Sequence, residues 1–223
     1  MRKYLAETLG TFMLVFAGTG AIVINHISHG AVTLPGIALT FGLVVMAAIY
    51  AFGSISGAHL NPAVTLGLCL ARQFSIRDVP FYMASQICGA LAASALMRLL
   101  FGNEAFLGAT LPAGSAAQSF ILEIVLTGIL MLVILCVSTG PKELGALAGI
   151  AIGGVVGLEA MFAGPICGAS MNPARSLAPA LVSGHLESLW IYLGAPFIGS
   201  VAAVPLWLRL RTEVANPIAG SSR

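Results

Sequence analysis

Apolar residues fall along this chain in long unbroken runs, without the alternation or the narrow helical stripe of a soluble core. Six runs, about 4–26, 34–53, 79–101, 117–138, 143–163 and 188–209, each hold roughly 20 mostly apolar residues. As an α-helix, that length crosses a hydrocarbon core of about 30 Å. Polar residues and helix breakers separate the runs: Asn25-His26-Ile27-Ser28-His29-Gly30, Arg72-Gln73-Phe74-Ser75-Ile76-Arg77-Asp78, Gly102-Asn103-Glu104 and Gly140-Pro141-Lys142. Arg2 and Lys3 precede the first run, as in a secretory leader. The run from Tyr4 to Ile27 is longer than a leader's apolar region of about 7–15 residues, so it reads as an uncleaved span.

Two apolar segments are too short to cross. One runs from Asn61 to about Leu70, the other from Asn172 to about Val182. Ten helical residues rise about 15 Å, half the core thickness. Each segment follows a glycine-rich stretch expected to break the helix, Gly53-Ser54-Ile55-Ser56-Gly57 and Gly164-Pro165-Ile166-Cys167-Gly168. Irregular backbone at membrane depth is tolerated only where protein buries it or water reaches it. The two segments therefore read as re-entrant half-helices lining a cavity.

The chain also repeats itself. Ile55-Ser56-Gly57-Ala58-His59-Leu60-Asn61-Pro62-Ala63 matches Ile166-Cys167-Gly168-Ala169-Ser170-Met171-Asn172-Pro173-Ala174 at six of nine positions, offset by 111. Gly42 and Gly153 share that offset, as do Gly53 and Gly164; Glu7 and Glu123 are related by 116. Each half carries three spans. An odd number inverts the second copy relative to the first and brings the half-helix N-termini together near the midplane. The expected organisation is one channel domain over 1–223, with a first repeat 1–105, an inverted second repeat 115–212 and a tail 213–223. The fold class is thus an all-α integral membrane protein of six transmembrane helices plus two re-entrant half-helices.

Composition sharpens this. Hydrophobic residues make up 58% and charged residues 8%, against about 25% charged in soluble domains. Mean hydropathy is +0.99. A soluble enzyme and a disordered chain are excluded. The formal net charge is +2 without a basic cluster, which argues against nucleic-acid binding. Lys and Arg set the orientation. With the N-terminus cytoplasmic, Arg2, Lys3, Arg72, Arg77, Lys142, Arg209, Arg211 and Arg223 lie inside, and the outer loops hold none. Arg98 snorkels near the outer end of its span. Cys69, Cys88, Cys136 and Cys167 show no metal or redox spacing and read as packing residues. No cofactor or metal is expected.

Asn is a preferred N-cap and Pro suits the first helical position. The Asn oxygen accepts from first-turn N–H groups, and its amide nitrogen keeps donors for a lumen. Each helix N-terminus carries about half a positive charge. Two such ends facing each other repel cations and orient a passing dipole. Asn216-Pro217-Ile218, in the polar tail, has no repeat partner and reads as chance. Arg175 follows the second copy, where the first has Val64. An intramembrane Arg usually faces a water-filled path, where it raises a barrier to protons and cations; the alternative is a structural Arg tied to carbonyls.

These residues resemble the aquaporin, or major intrinsic protein, family over nearly the whole chain: six spans, both Asn-Pro-Ala copies, the following Arg175, and Glu7 and Glu123. The stretch from Ala163 to Leu177 is most similar to the nodulin-like branch and its bacterial relatives. The resemblance implies a selectivity filter of Phe41, Ala160, Ala169 and Arg175. It implies that Glu7 and Glu123 brace the re-entrant loops, and that Gly57, Ala58, His59, Gly168 and Ser170 line the pore. It also implies a homotetramer with one pore per subunit, multi-pass in the plasma membrane with both termini cytoplasmic. Water-selective members usually carry His where Ala160 stands, and often Cys or Thr where Ala169 stands. Glycerol facilitators usually carry Asp where Ser176 stands. Tyr192 and Leu193 mix the two patterns in the sixth span.

The expectation is a passive channel, not an enzyme, for water and small uncharged solutes such as glycerol, urea or metalloid hydroxides like arsenite. A strictly water-selective aquaporin and, from another class, a proton-coupled transporter on inverted repeats remain as alternatives. A plugged pore would leave the same motifs. An intramembrane hydrolase is disfavoured, since Asp78 is the only Asp and no Ser/His or HExxH arrangement occurs. Glu159 is open between pairing with outer-loop backbone and a place at the pore mouth. His59 is open between protonation gating and a fixed hydrogen bond. The Gly149, Gly153, Gly157 row and the Gly89, Ala93 pair predict close helix contacts.

Overall fold

A computed structural model describes residues 1–141 and 145–214, with the side chains of 212–214 outside that description. Six helices are long and apolar enough to span a membrane: α1 (Arg2–Ile27), α2 (Thr33–Ser56), α4 (Val79–Phe101), α5 (Ala116–Thr139), α6 (Ala148–Cys167) and α8 (Leu189–Val214). Two half-length helices complete the set, α3 (Pro62–Leu70) and α7 (Pro173–Ser183). A short 3-10 element covers Glu104–Gly108. Lys142, Arg223, the Asn216-Pro217-Ile218 segment, the start of the expected 143–163 span and most of the tail lie outside the described residues.

The glycine-rich stretches differ from expectation. They do not break the helices at Gly53 and Gly164. Helix α2 continues to Ser56, and α6, with Pro165 in its last turn, continues to Cys167. The break comes at the second glycine of each pair. Gly57 and Gly168 adopt left-handed φ of 86° and 83°, and their N–H groups bond the carbonyls of Gly53 and Gly164. Only a residue without Cβ takes that conformation freely, so a helix stops there with its last carbonyls satisfied. Each extended helix therefore ends directly over the re-entrant loop.

Within the halves, α1 packs on α2 and α4, and α5 on α6 and α8. The halves join through α2 against α6, and each half-helix crosses over: α3 packs on α8, and α7 on α4. Glycine permits the tight crossings. A Cβ on Gly42 would lie 2.7 Å from the Gly153 carbonyl oxygen, and one on Gly153 would lie 2.5 Å from that of Gly42. Gly149 and Gly157 face Tyr50 and Ala38 of α2 in the same seam. The predicted glycine row is thus an internal contact. Gly89 of α4 abuts Thr8 of α1, and Gly199 of α8 abuts Ile124 of α5, pairs related by the repeat.

Among the described residues, Arg2, Lys3, Arg72, Arg77, Arg209 and Arg211 lie at one end. Lys3 Nζ lies 2.8 Å from Asp78 Oδ2, and the Tyr4 hydroxyl donates to Oδ1 at 2.8 Å. These contacts tie the N-terminus to the 71–78 loop and hold the Asp78 carboxyl below the ordinary carboxylate range. At the other end, Arg98 donates to the Val182 carbonyl at 3.4 Å, near the C-terminus of α7. His26 reaches Glu104 at 3.5 Å, and the His185 ring stacks on Phe106.

Candidate functional site

Asn61 and Asn172 cap α3 and α7 from extended backbone, with Pro62 and Pro173 first in each helix. Asn61 Oδ1 accepts from Ala63 N at 2.9 Å; Asn172 Oδ1 accepts from Ala174 N at 3.0 Å and Arg175 N at 3.3 Å. The amide nitrogens cross between halves. Asn61 Nδ2 donates to the Met171 carbonyl at 2.7 Å, and Asn172 Nδ2 donates to the Leu60 carbonyl at 2.9 Å. Each cross-bond uses one of two amide hydrogens. The pair of bonds reproduces the repeat in side-chain chemistry.

The loops ahead of the caps share a backbone. Ala58 and Leu60 have φ of 48° and 54°, and Ala169 and Met171 have 41° and 53°. Such conformations cost non-glycine residues energy and persist only where the surroundings over-determine them. Two carboxylates do so here. Glu7 accepts from the backbone N–H of His59 at 2.9 Å and of Leu60 at 2.8 Å. The Ser56 hydroxyl and the Gln86 amide also donate to it. Glu123 accepts from the N–H of Ser170 at 2.7 Å and of Met171 at 2.8 Å, with Cys167 Sγ at 3.4 Å. Tyr82 and Tyr192 add a matched pair, donating to the carbonyls of Ser56 and Cys167. Sequence reasoning passed over Gln86, Tyr82 and the role of Ser56, and read Tyr192 only as part of a mixed pattern in the sixth span, although the tyrosines repeat at an offset of 110.

A cavity of about 480 Å³ runs along the two caps. From the end that carries the basic residues it begins among Tyr50, Ser54, Ser138 and Ala146, passes Asn61 and Asn172, and reaches Phe41, Ala160, Ala169 and Arg175. Its walls between are apolar, with Leu14, Val45, Leu130 and Ile134 among them. Gly57, Ala58, His59 and Ser170 also line it. Gly168 does not, because Thr110 packs on it, 3.0 Å from where a Cβ would stand. Pro62, Ala63, Pro173 and Ala174 are buried in the first helical turns behind the lining.

Arg175 is 2% exposed. Its Nη1 donates to the Gly108 carbonyl at 2.8 Å, and its guanidinium carbon lies 5.1 Å from the centre of the Phe41 ring. Gly18 of α1 makes room for that ring. Facing them, Ala160 and Ala169 present only methyl groups. The result is one aromatic wall, one cationic donor and two small walls. His59 is fixed: Nδ1 lies 3.2 Å from Thr65 Oγ1, and Phe74 and Tyr82 pack on the ring. Glu159 follows neither reading open to it. It is 3% exposed, outside the cavity lining, and both carboxyl oxygens are buried without a hydrogen-bond partner.

Comparison with known proteins agrees with this architecture. The family described as Major intrinsic protein matches residues 1–207. The chain is 50% identical over 204 residues to Aquaporin NIP1-1 of Oryza sativa subsp. japonica, covering 91% of this chain and 72% of that protein. It is 45% identical over 203 residues to Nodulin-26 of Glycine max, covering 91% and 75%. Among solved structures, the aquaglyceroporin from Plasmodium falciparum superposes with a TM-score of 0.84 at 28% identity, over 96% of this chain and 98% of that one. With six spans, two capped half-helices cross-bonded through paired asparagines, and this match over nearly its full length, the chain belongs to the major intrinsic protein family.

Proposed function

We propose that this chain is a passive channel for water and small uncharged solutes that excludes protons and ions. The observation that carries the reading is the cavity lined both by Asn61 and Asn172, the two helix caps, and by Phe41, Ala160, Ala169 and Arg175. Two helix N-termini and one buried guanidinium place fixed positive potential along it, which opposes cations. The free amide hydrogens of Asn61 and Asn172 offer donors to a water or hydroxyl oxygen, and the apolar walls offer it nothing else. That pattern orients a neutral solute without binding it tightly.

The filter reading is a wide one. With Ala160 and Ala169 in place of larger polar residues, a polyol or a metalloid hydroxide has space beside Phe41. Similarity to Nodulin-26 and to an aquaglyceroporin supports solutes beyond water. Glu7 and Glu123 act as loop braces. We read residues 1–105 and 115–212 as inverted repeats of one domain. The basic end is cytoplasmic and the membrane is the plasma membrane. Because the cavity lies within one chain, each copy of a homotetramer conducts by itself. The role is conduction, with no chemical conversion.

Stopped-flow light scattering on proteoliposomes tests this. Expected are fast water flux, measurable glycerol and arsenous acid flux, and no proton current. An Ala160→His, Ala169→Cys double variant keeps water flux and loses most glycerol flux. Equal glycerol flux in the double variant would overturn the wide-filter reading, and a proton current coupled to solute would overturn the passive one.

A further inference from the structure

The segment joining the two halves contains a turn of the wrong hand. Ala105, Phe106 and Leu107 have φ of 46°, 47° and 57°, and Gly108 continues at 71°. Left-handed backbone crowds Cβ against the following carbonyl, so L-residues visit it singly. Ala, Phe and Leu in succession have no local reason to adopt it. Such a turn persists only if its surroundings over-determine it.

The surroundings here are specific. Leu107 is fully buried, packed with Val23 of α1 and Met97 of α4. Gly108 lies against Thr19, which a Cβ would approach to 2.9 Å. The product of the turn is the direction of one carbonyl, since Gly108 O accepts from Arg175 Nη1 at 2.8 Å. Arg175 Nε is buried and has no partner. Besides the Phe41 face and the attraction of the Glu123 charge, the Gly108 carbonyl is the hydrogen-bond partner of this guanidinium. Thr110, two residues on, donates to Ser176 at 2.7 Å, next to Arg175.

We infer that Leu107 is a positioning residue for selectivity: its burial locks the left-handed turn, the turn aims the Gly108 carbonyl, and that carbonyl fixes Arg175 at the constriction. Leu107 lies outside the cavity lining. Its filling of the Val23–Met97 pocket holds the backbone in a conformation that the sequence of the turn would otherwise leave. Without it, the chain relaxes toward right-handed or extended backbone, the carbonyl turns away, and the guanidinium loses its fixed place. The inference rests on the reading of Arg175 as a selectivity element.

The test compares glycerol and water permeability in proteoliposomes for the wild type, Leu107→Ala, Leu107→Met, Leu135→Ala and Arg175→Ala. Leu135 is a fully buried core leucine outside the cavity lining and far along α5 from this turn. Leu107→Ala is expected to shift the glycerol-to-water ratio by about threefold or more, in the same direction as Arg175→Ala. Leu107→Met, which refills the pocket, restores the ratio, and Leu135→Ala leaves it at the wild-type value. Should Leu107→Ala not assemble, Leu107→Val reads the same shift at smaller size. A folded Leu107→Ala or Leu107→Val channel with the wild-type ratio overturns the inference while leaving the channel reading intact, provided that Arg175→Ala alters the ratio. If Arg175→Ala does not alter it, the filter reading itself falls, and the role of Leu107 with it.

Discussion

Glu7, Glu123 and Glu159 are buried within the spans, and their partners decide what each does. Glu7 and Glu123 occupy equivalent places and accept from equivalent loop N–H groups. Glu159 has no repeat counterpart, since an offset of 111 leads back to Ala48, and neither of its oxygens is partnered. Substitution should therefore act in opposite directions within one half of the protein. Glu123→Gln replaces one acceptor oxygen by a donor facing a backbone N–H, which leaves buried groups unpaired at about 1–3 kcal/mol. Glu159→Leu removes two buried polar atoms that lack partners, a state that costs about 1–3 kcal/mol, so the change is neutral or stabilising. Thermal unfolding in one detergent should show Glu123→Gln melting below the wild type and Glu159→Leu at or above it. A drop for Glu159→Leu would mean that this carboxyl has a structural partner. The brace role of Glu7 and Glu123 came from the family resemblance, and it fits the need of a carboxylate in an apolar run for donors. The bare state of Glu159 was not legible from sequence, because which neighbours face a helix position depends on how α5 and α6 pack.

At the scale of elements, glycine spacing sets where helices end and how closely they cross. The α2–α6 seam predicts a sharp contrast between adjacent residues. A Cβ on Gly153 meets the Gly42 carbonyl, whereas one on Gly154 meets nothing within 4 Å. Gly153→Ala should cost about 1–3 kcal/mol by forcing the helices apart. Gly154→Ala should be neutral or gain about 0.5–1 kcal/mol from lower chain entropy. Melting curves of the two variants separate them, and equal shifts would count against the seam. Most of the fold could be read in the chain, since span length, the repeat and the Asn-Pro caps are local signals. The ends of α2 and α6 were misjudged because both glycines of each pair are breakers on paper, and only the second takes left-handed φ. The turn at Ala105-Phe106-Leu107 carried no local signal at all, since tertiary burial of Leu107 imposes it. Gly108, whose carbonyl accepts from Arg175, and Thr110, which donates to Ser176, were missed for that reason.

Across the whole molecule, the cavity joins two halves that hold each other through their caps, and its lining decides how flux responds to pH. His59 is the one histidine in the lining. A gate would need the ring to swing when it gains a proton. Thr65 occupies Nδ1, while Phe74 and Tyr82 confine the ring from two sides, so it has no free arc across the cavity. His26, His29 and His185 lie at the opposite rim, away from the lining. At the basic end, Asp78 binds Lys3 and Tyr4, which lowers its carboxyl pKa. A depressed carboxyl contributes stability that is present above its unfolded value of about 3.9. That contribution disappears only as the pH falls through the lower folded value, well below neutrality. Neither the ring nor the tether therefore changes its role near neutral pH. Water permeability should be flat between about pH 5.5 and 7.5, where a free histidine would change charge. The same proteoliposomes measured at both limits provide the check. A change of about twofold or more that His59→Asn abolishes would show that His59 moves, and that the aromatic cage does not confine it.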